Sequence, residues 1–305
     1  MNSGKLREHN LENGVLSVIK NTSEELLQGA GIGSDYSRLK NTISSDGASS
    51  EPAIAWAKAY NNFLCSGGKC TCARITMLLS PSVKESQIKS YMSIFSELSD
   101  QQGIQIVGGH SEICEAYQKD TFIVTLIGEA LEWSPKKATA DCCIFMTGYA
   151  GLLGTNLLLK ENSEKINSYF GNHFSSGEVF GTEKYICPNL LAFEESSSIM
   201  YAHDISSDGV YGALWQLGKK LGKGIEVYNW LIPIRQETIE ICECLDLNPY
   251  TIDGTGAMLF VCNKKTPILQ HLISQGIETK CIGKLTAEKE RIVYFTEEEY
   301  RTLSP

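Results

Sequence analysis

The sequence predicts a protein of two mixed α/β domains, and three observations support this class. Predicted helices and strands alternate in both halves of the chain, which is the pattern of α/β or α+β layers. The length of 305 residues suits two domains of ordinary size. A composition of 42% hydrophobic and 21% charged residues is typical of a globular protein that buries a substantial core.

The N-terminal half contains the clearest predicted helix, SPSVKESQIKSYMSIFSELSDQQG. Ser82, followed three residues later by Glu85, predicts a capping box at the start of this helix, and Gly103 stands where the helix should end. Two apolar strands follow, IQIV and TFIVTLI. The stretch between them, Gly108 to Glu112, is so polar that we expect the first strand to end before it.

The C-terminal half begins after a predicted hinge, EWSPKKATADC, in which Pro135 and small residues separate two apolar strands. We therefore predict an N-terminal domain over residues 1–134 and a C-terminal domain over residues 135–305. Strands are predicted at CCIFMTG, IEV, AMLFVC and TKCIGKL. Helices are predicted with an apolar face running from Val210 to Leu221, from about Arg235, and at PILQHLISQG.

Charge and hydropathy restrict the class of partner. The formal net charge of −9 argues against nucleic acid or an anionic membrane surface as the main partner. No apolar run approaches the roughly 20 residues that a membrane-spanning helix needs. The first residues, MNSGKLREHNLENG, are polar and lack the apolar core of a signal peptide. We therefore expect a cytoplasmic protein.

Eleven cysteines without a secretory signal predict reduced thiols rather than a disulfide framework. The cluster CSGGKCTC, with Cys65, Cys70 and Cys72, would need a second well-spaced pair to form a metal–thiolate site. Cys242 and Cys244 do not supply that pair, because helical neighbours at i and i+2 point to different faces. Buried small hydrophobic side chains are the favoured interpretation, and a metal–thiolate site is the alternative.

Three clusters combine glycine with a carboxylate: GAGIGSD, with Gly33 and Asp35, SSDGASS, with Asp46, and VGGHSE, with Gly108, Gly109 and Glu112. Glycine lets backbone N–H groups approach phosphate oxygens, and nearby carboxylates can hold Mg²⁺ that bridges those phosphates. The clusters therefore indicate a magnesium-bound nucleotide. For any one cluster taken singly, a plain structural turn is the favoured interpretation.

A further polar cluster, HDISSDG, precedes the helix that starts near Val210. Its residues His203, Asp204, Ser206 and Asp208 lie where exposed helix N–H groups favour an anion. The simpler interpretation is that a serine or an aspartate caps the helix without any ligand.

Taken in order, GIGSD, SSD, VGGHSE, LIGEA, GLLGT, HDISSDG and IGKL resemble the aminoimidazole ribonucleotide (AIR) synthase-like superfamily. The resemblance is strongest to its hydrogenase-maturation branch, the HypE-like proteins, and it covers about residues 30–290. It implies a two-domain α/β fold and a homodimer whose N-terminal sheets join in a barrel-like interface. It also implies ATP and Mg²⁺, with phosphoryl transfer to an amide or carbonyl oxygen of a small molecule.

The resemblance also assigns roles to residues of this chain. Asp46 and Asp204 would be catalytic, and three carboxylates would hold Mg²⁺ and phosphate: Asp35, Asp46 and Glu112. The nucleotide would be lined by a larger set of residues: Gly33, Asn62, Gly108, Gly109, His110, Ser111 and Ser206.

The chain departs from the family pattern at three places. Asn62 stands where a carboxylate is expected, and its amide oxygen can still ligate Mg²⁺ but adds no charge. Asp208 stands where glycine is usual. The chain ends in RTLSP, without the terminal cysteine of the hydrogenase-maturation enzyme, which argues against the cyanide-forming reaction.

Three functions follow from these expectations. The favoured one is an ATP-dependent enzyme of this superfamily with an unassigned small-molecule substrate. The second is a nucleotide-binding or scaffold protein that kept the fold and lost the chemistry, which Asn62 and Asp208 motivate. The third is a structural dimer that binds no nucleotide.

Overall fold

The computed structural model describes residues 8–20, 23–131, 138–171, 173–174, 178–190, 197–263 and 267–304. The chain divides into two compact units. The N-terminal unit consists of Asn21–Ala30 and Ser34–Trp133, and the C-terminal unit consists of Met1–Lys20, Gly31–Gly33 and Ser134–Pro305. Most of the predicted hinge, including Pro135, lies outside the described residues.

Both units combine α-helices with a β-sheet, which confirms the mixed α/β class. The helices are α1 (Glu8–Gly14), α2 (Pro52–Leu64), α3 (Glu85–Gln102), α4 (Leu152–Glu161), α5 (Ser163–Phe170), α6 (Gly209–Leu221), α7 (Gln236–Cys244) and α8 (Ile268–Ser274). The strands are β1 (Leu26–Gln28), β2 (Ser37–Leu39), β3 (Thr42–Ser49), β4 (Lys69–Leu79), β5 (Gln105–Ile113), β6 (Thr121–Glu129), β7 (Cys143–Thr147), β8 (Ile199–Ile205), β9 (Gly224–Tyr228), β10 (Ala257–Cys262), β11 (Thr279–Thr286), β12 (Arg291–Tyr294) and β13 (Tyr300–Thr302).

The N-terminal unit is a six-stranded sheet in the order β1-β2-β3-β6-β4-β5, in which only β4 and β5 pair in parallel. Helices α2 and α3 cover one face of this sheet. Trp56 of α2 and Phe95 of α3 are fully buried, and Phe95 meets Phe122 of β6 edge-to-face at 5.8 Å. Strand β6 alternates buried and half-buried residues, as expected when a sheet buries one face against helices.

Gly47 of β3 explains how closely α2 approaches this sheet. A Cβ atom at position 47 would collide with the backbone nitrogen of Ala59 and the carbonyl oxygen of Ala55, both in α2. Only glycine therefore permits this helix–sheet contact.

Two local predictions for this unit are wrong. The polar stretch from Gly108 to Glu112 does not end the strand, because β5 runs from Gln105 through to Ile113. Strand β5 pairs only with β4 in the described chain, and its side chains are almost all exposed, so polarity carries no burial cost there. The long helix starts after Lys84 rather than Ser82, and the Gln87 side chain accepts a 2.9 Å hydrogen bond from the Lys84 N–H.

The C-terminal unit is a seven-stranded sheet in the order β13-β12-β9-β11-β7-β10-β8, antiparallel except for β9 with β12. The predicted strands CCIFMTG, IEV, AMLFVC and TKCIGKL are confirmed as β7, β9, β10 and β11. Helix α6 buries Val210, Leu214 and Leu217 completely, which confirms its predicted apolar face. Strands β7, β8 and β10 are buried along their whole length, so this sheet is covered on both faces there.

Within the described residues, no helix combines the length and the apolarity required to cross a membrane.

Candidate functional site

One row of paired residues crosses the N-terminal sheet: Asp46 of β3, Thr125 of β6, Arg74 of β4 and Gly108 of β5. Residues paired across neighbouring strands point to the same face of a sheet. Buried Ile75 and Val124, the next residues along β4 and β6, point to the opposite face, which the helices cover. The row therefore lies on the face away from α2 and α3, called here the open face.

Asp46 accepts hydrogen bonds from two neighbours, one to its side chain and one to its backbone. The Thr125 hydroxyl donates a 2.6 Å hydrogen bond to Asp46 Oδ1. The Asn62 amide donates through Nδ2 to the backbone carbonyl of Asp46 at 2.9 Å. Within the described residues, neither Asp46 Oδ2 nor Asn62 Oδ1 makes a hydrogen bond, so each residue keeps one oxygen available.

These donors fit magnesium, a hard cation that takes oxygen ligands from carboxylates, amides and water. Asp46 offers charge and Asn62 offers a neutral oxygen. The amide at position 62 also has a role that a carboxylate could not fill, since only the amide can donate to the Asp46 carbonyl.

The end of β5 carries a second polar group. His110 Nε2 donates to Glu112 Oε2 at 3.0 Å, and the Tyr117 hydroxyl donates to Glu112 Oε1 at 2.8 Å. The hydrogen bond from His110, followed by that from Tyr117, lowers the pKa of Glu112 below its usual value. Glu112 is therefore held as an oriented, ionised carboxylate.

Strand geometry separates neighbouring residues of β5. Gly108, His110 and Glu112 alternate with Gly109 and Ser111, so the two sets lie on opposite faces. A Cβ at Gly109 would collide with the carbonyl oxygen of Ile75 in β4, which explains the glycine at that position. Ser111 is thus placed away from His110 and Glu112, although the resemblance grouped all three around a nucleotide.

Asp46 and Glu112 share the open face but lie far apart in one copy of the chain. Three strand steps separate β3 from β5, and Glu112 lies four residues beyond Gly108, the residue in the Asp46 row. At about 4.8 Å per strand and about 3.3 Å per residue, their Cα atoms are about 20 Å apart. Oxygens bound to one Mg²⁺ lie about 2.1 Å from the metal, so one copy of the chain does not bring both carboxylates to the same ion.

The remaining N-terminal candidates lie in the connection between β1 and β2. Asp35 is half-buried there and belongs to the N-terminal unit. Gly33 belongs to the C-terminal unit, where its carbonyl accepts a 3.3 Å hydrogen bond from the Tyr201 hydroxyl. With φ at 68°, Gly33 adopts the left-handed conformation that favours glycine, so a structural turn accounts for this residue.

In the C-terminal unit, His203 and Asp204 lie on buried β8, with exposed fractions of only 1% and 4%. His203 Nε2 lies 3.2 Å from Gln216 Oε1, and Gln216 Nε2 donates to Asp208 Oδ2 at 3.1 Å. Because the Gln216 amide donates to Asp208, its oxygen faces His203, so His203 Nε2 carries the hydrogen. This network links His203 to Asp208 through one amide.

Ser206 and Asp208 form the turn between β8 and α6. The Ser206 carbonyl accepts hydrogen bonds from the N–H groups of Gly209 and Gly254. Asp208 occupies the N-cap position of α6 but makes no capping hydrogen bond through its side chain. The simple capping interpretation is therefore wrong for Asp208, whose carboxylate is engaged by Gln216 instead.

The cysteines of the N-terminal cluster are buried or half-buried. Cys65 is buried, and burial followed by the nearby Cys72 raises the pKa of Cys70 to about 12. A raised pKa keeps the thiol protonated, whereas metal binding requires the thiolate. Burial therefore favours the small-hydrophobe interpretation of this cluster.

Three residues did not emerge from the sequence: Thr125 and Arg74 of the open face, and Tyr117 of the connection between β5 and β6. Thr125 and Arg74 join Asp46 only through strand pairing between distant segments. An outward-pointing arginine in the otherwise apolar strand ARITMLL was the one local hint.

The fold defines the class: a mixed α/β protein of two units, each built on its own β-sheet. Residues 139–295 match the family model described as AIR synthase related protein, C-terminal domain. The chain therefore belongs to the AIR synthase related family, and it is similar to the HypE-like proteins of that family.

Two relatives are similar to this chain over most of its length. A protein of Methanocaldococcus jannaschii named for hydrogenase expression and formation is 22% identical over 255 residues, which cover 80% of this chain and 72% of that protein. The carbamoyl dehydratase HypE of Azotobacter vinelandii is 24% identical over 200 residues, which cover 63% of this chain and 56% of that protein.

Solved structures share the fold. HypE in a HypE–HypF complex aligns with a TM-score of 0.78 at 16% identity, covering 97% of this chain and 99% of that one. HypE in complex with ATP aligns with a TM-score of 0.72 at 15% identity, over 99% and 95%. AaThiL complexed with AMPPCP and TMP aligns with a TM-score of 0.67 at 19% identity, over 98% and 99%.

Proposed function

We propose that this protein is an ATP-dependent enzyme that activates an amide or carbonyl oxygen of a small molecule by phosphoryl transfer. The observation that carries the proposal is the Asp46 carboxylate, oriented by Thr125 on the open face with Oδ2 available, while Asn62 bonds the Asp46 backbone. The names of the relatives support it: one is a carbamoyl dehydratase, and the solved structures include HypE with ATP and AaThiL with AMPPCP.

Asp46 and Asn62 would hold Mg²⁺, which when bound neutralises phosphate charge and helps to position the phosphates. Thr125 keeps the Asp46 carboxylate in place by donating to Oδ1 and leaves Oδ2 for the cation. Phosphoryl transfer depends mainly on positioning and charge stabilisation, so oriented oxygens serve it without a covalent nucleophile. Asp204 and Ser206 remain predicted contributors from the C-terminal unit.

We also propose that the protein acts as a homodimer. Glu112 is too far from Asp46 to bind the same Mg²⁺ within one copy, whereas a second copy could place its Glu112 beside the first copy's Asp46. Strand β5 lies at the edge of the sheet, and its Val107 and Ile113 are 56% and 58% exposed. An exposed apolar edge strand is suited to pairing with another chain.

Sedimentation of the purified protein tests the dimer. We expect a dimer, and we expect Val107→Glu to shift the population toward monomers. A wild-type protein that sediments as a monomer at assay concentrations would contradict this part of the proposal.

ADP release in the presence of Mg²⁺ tests the enzymatic function. We expect Asp46→Ala to lower the rate at least tenfold, since a loss of about 1.4 kcal/mol in transition-state stabilisation is a factor of ten. Asp100→Ala is the matched control, because it removes an exposed acid at the end of α3, on the covered side of the sheet. Equal rates in all three proteins would reject catalysis at Asp46, and ATP binding without ADP release would indicate a nucleotide-binding protein instead.

A further inference from the structure

Arg74 stands out on the open face of the N-terminal sheet. It is exposed on β4, a strand paired on both sides, rather than on a loop or an edge. Its Nη1 atom lies 3.5 Å from the position that a Cβ atom of Gly108 would occupy. The guanidinium thus extends over Gly108, where the lack of a side chain leaves it room.

This guanidinium makes no hydrogen bond or ion pair with any described residue, although the same face carries acids. Asp46 lies in the same row but two strands away, at a Cα separation of about 10 Å for strands spaced about 4.8 Å apart. The intervening residue is Thr125, whose hydroxyl is already directed to Asp46. A negative and a positive group therefore face the same space above Thr125 without pairing to each other.

An arginine fork is suited to a planar or tetrahedral oxyanion that accepts two parallel hydrogen bonds, and phosphate is the common case. Acids alone would repel a polyphosphate. A cation on Asp46 at one end and the Arg74 fork at the other would let a phosphate group bridge the two. In this arrangement Asp46 and Arg74 do not pair with each other, because the space between them is suited to a phosphate group.

We propose that Arg74 is a phosphate-binding residue that contacts the nucleotide polyphosphate across from Asp46. This inference rests on the proposed function, and it adds a specific cationic contact. Strand pairing fixes Arg74 relative to Asp46, so the pair selects for a charged polyphosphate chain rather than for the nucleoside.

Isothermal titration with Mg²⁺ and the non-hydrolysable ATP analogue AMPPNP, and separately with adenosine, tests this role. We expect Arg74→Gln to weaken AMPPNP binding by roughly tenfold to a hundredfold, the range for losing charge-assisted hydrogen bonds. Arg74→Lys should weaken it less, because the charge remains and the two-pronged geometry is lost. Adenosine binding should not change in either variant.

Lys89→Gln is the matched control, since it removes one exposed positive charge from α3 on the covered side of the sheet. If wild-type protein binds AMPPNP and Arg74→Gln behaves like Lys89→Gln, the Arg74 inference is overturned while the proposed function stands. If Arg74→Gln weakens adenosine as much as AMPPNP, Arg74 acts through the fold and the inference also fails. If wild-type protein binds no AMPPNP, the proposed function itself fails, and the inference fails with it.

Discussion

The substitution Asn62→Asp should destabilise the metal-free protein and strengthen Mg²⁺ binding. Both effects can be worked out from the structure. The Asn62 amide donates to the Asp46 carbonyl at 2.9 Å, and an ionised aspartate cannot donate. The substitution therefore removes one hydrogen bond and sets two acceptor oxygens against each other. We expect the metal-free protein to lose about 1 kcal/mol of unfolding free energy.

The same substitution adds a full negative charge beside the available oxygen of Asp46. Two unit charges 4 Å apart in water interact by about 1 kcal/mol, so a divalent cation gains roughly 2 kcal/mol from the added carboxylate. That corresponds to about thirtyfold tighter Mg²⁺ binding. The variant should thus be less stable than wild type without Mg²⁺ and should recover stability as Mg²⁺ is added.

Urea unfolding with and without Mg²⁺, together with calorimetric titration of Mg²⁺, separates the two effects. Asn62→Ala is the matched control, because it loses the same hydrogen bond and adds no ligand. If Asn62→Asp binds Mg²⁺ no more tightly than Asn62→Ala, then position 62 is not beside the cation and this account of the site is wrong.

Three further predictions concern stability and titration in the N-terminal unit. Gly47→Ala should cost about 1–3 kcal/mol of unfolding free energy, because the added methyl group collides with the backbone of α2 at Ala59; no loss in urea unfolding would contradict this. Phe122→Ala should cost about 3–5 kcal/mol by the same assay, since Phe122 is fully buried; a loss below about 1 kcal/mol would show that the core reorganises. The pKa of Glu112 is lowered, so its bonds stabilise the fold above pH 4.5, the usual value for glutamate, and this contribution is lost as the pH falls through the lowered pKa. His110→Ala should move that pKa up toward 4.5 in an NMR titration, and an unchanged pKa would show that His110 is not its main cause.

Local hydrophobic patterns were sufficient to predict the elements in which the apolar positions are also the buried positions. AMLFVC is a continuous apolar run and forms a strand buried along its whole length, β10. Helix α6 buries Val210, Leu214 and Leu217, which recur at helical spacing. In both cases the hydrophobic period agrees with the packing, so the element could be predicted without knowing its contacts with residues distant in sequence.

Strand β5 could not be predicted in this way, because pairing with β4 holds polar residues 108–112 in an exposed edge strand. A polar stretch predicts a loop only where a strand at the same place would bury its side chains. The candidate site was predicted in part for a similar reason. The glycine–carboxylate clusters point to Asp46 and Glu112, and the resemblance adds Asn62. The contact of Thr125 with Asp46 and the place of Arg74 depend instead on strand register, which local patterns do not encode.

The central claim is that Asp46 binds the cation that accompanies a nucleotide on the open face of the N-terminal sheet. An anomalous difference map from crystals soaked with Mn²⁺ and AMPPNP would test it most directly, because manganese scatters anomalously and takes the same oxygen ligands as magnesium. We predict a peak within bonding distance of Asp46 Oδ2, with Asn62 Oδ1 beside it. Bound AMPPNP with its manganese elsewhere, and Asp46 in contact only with Thr125 and solvent, would contradict the account.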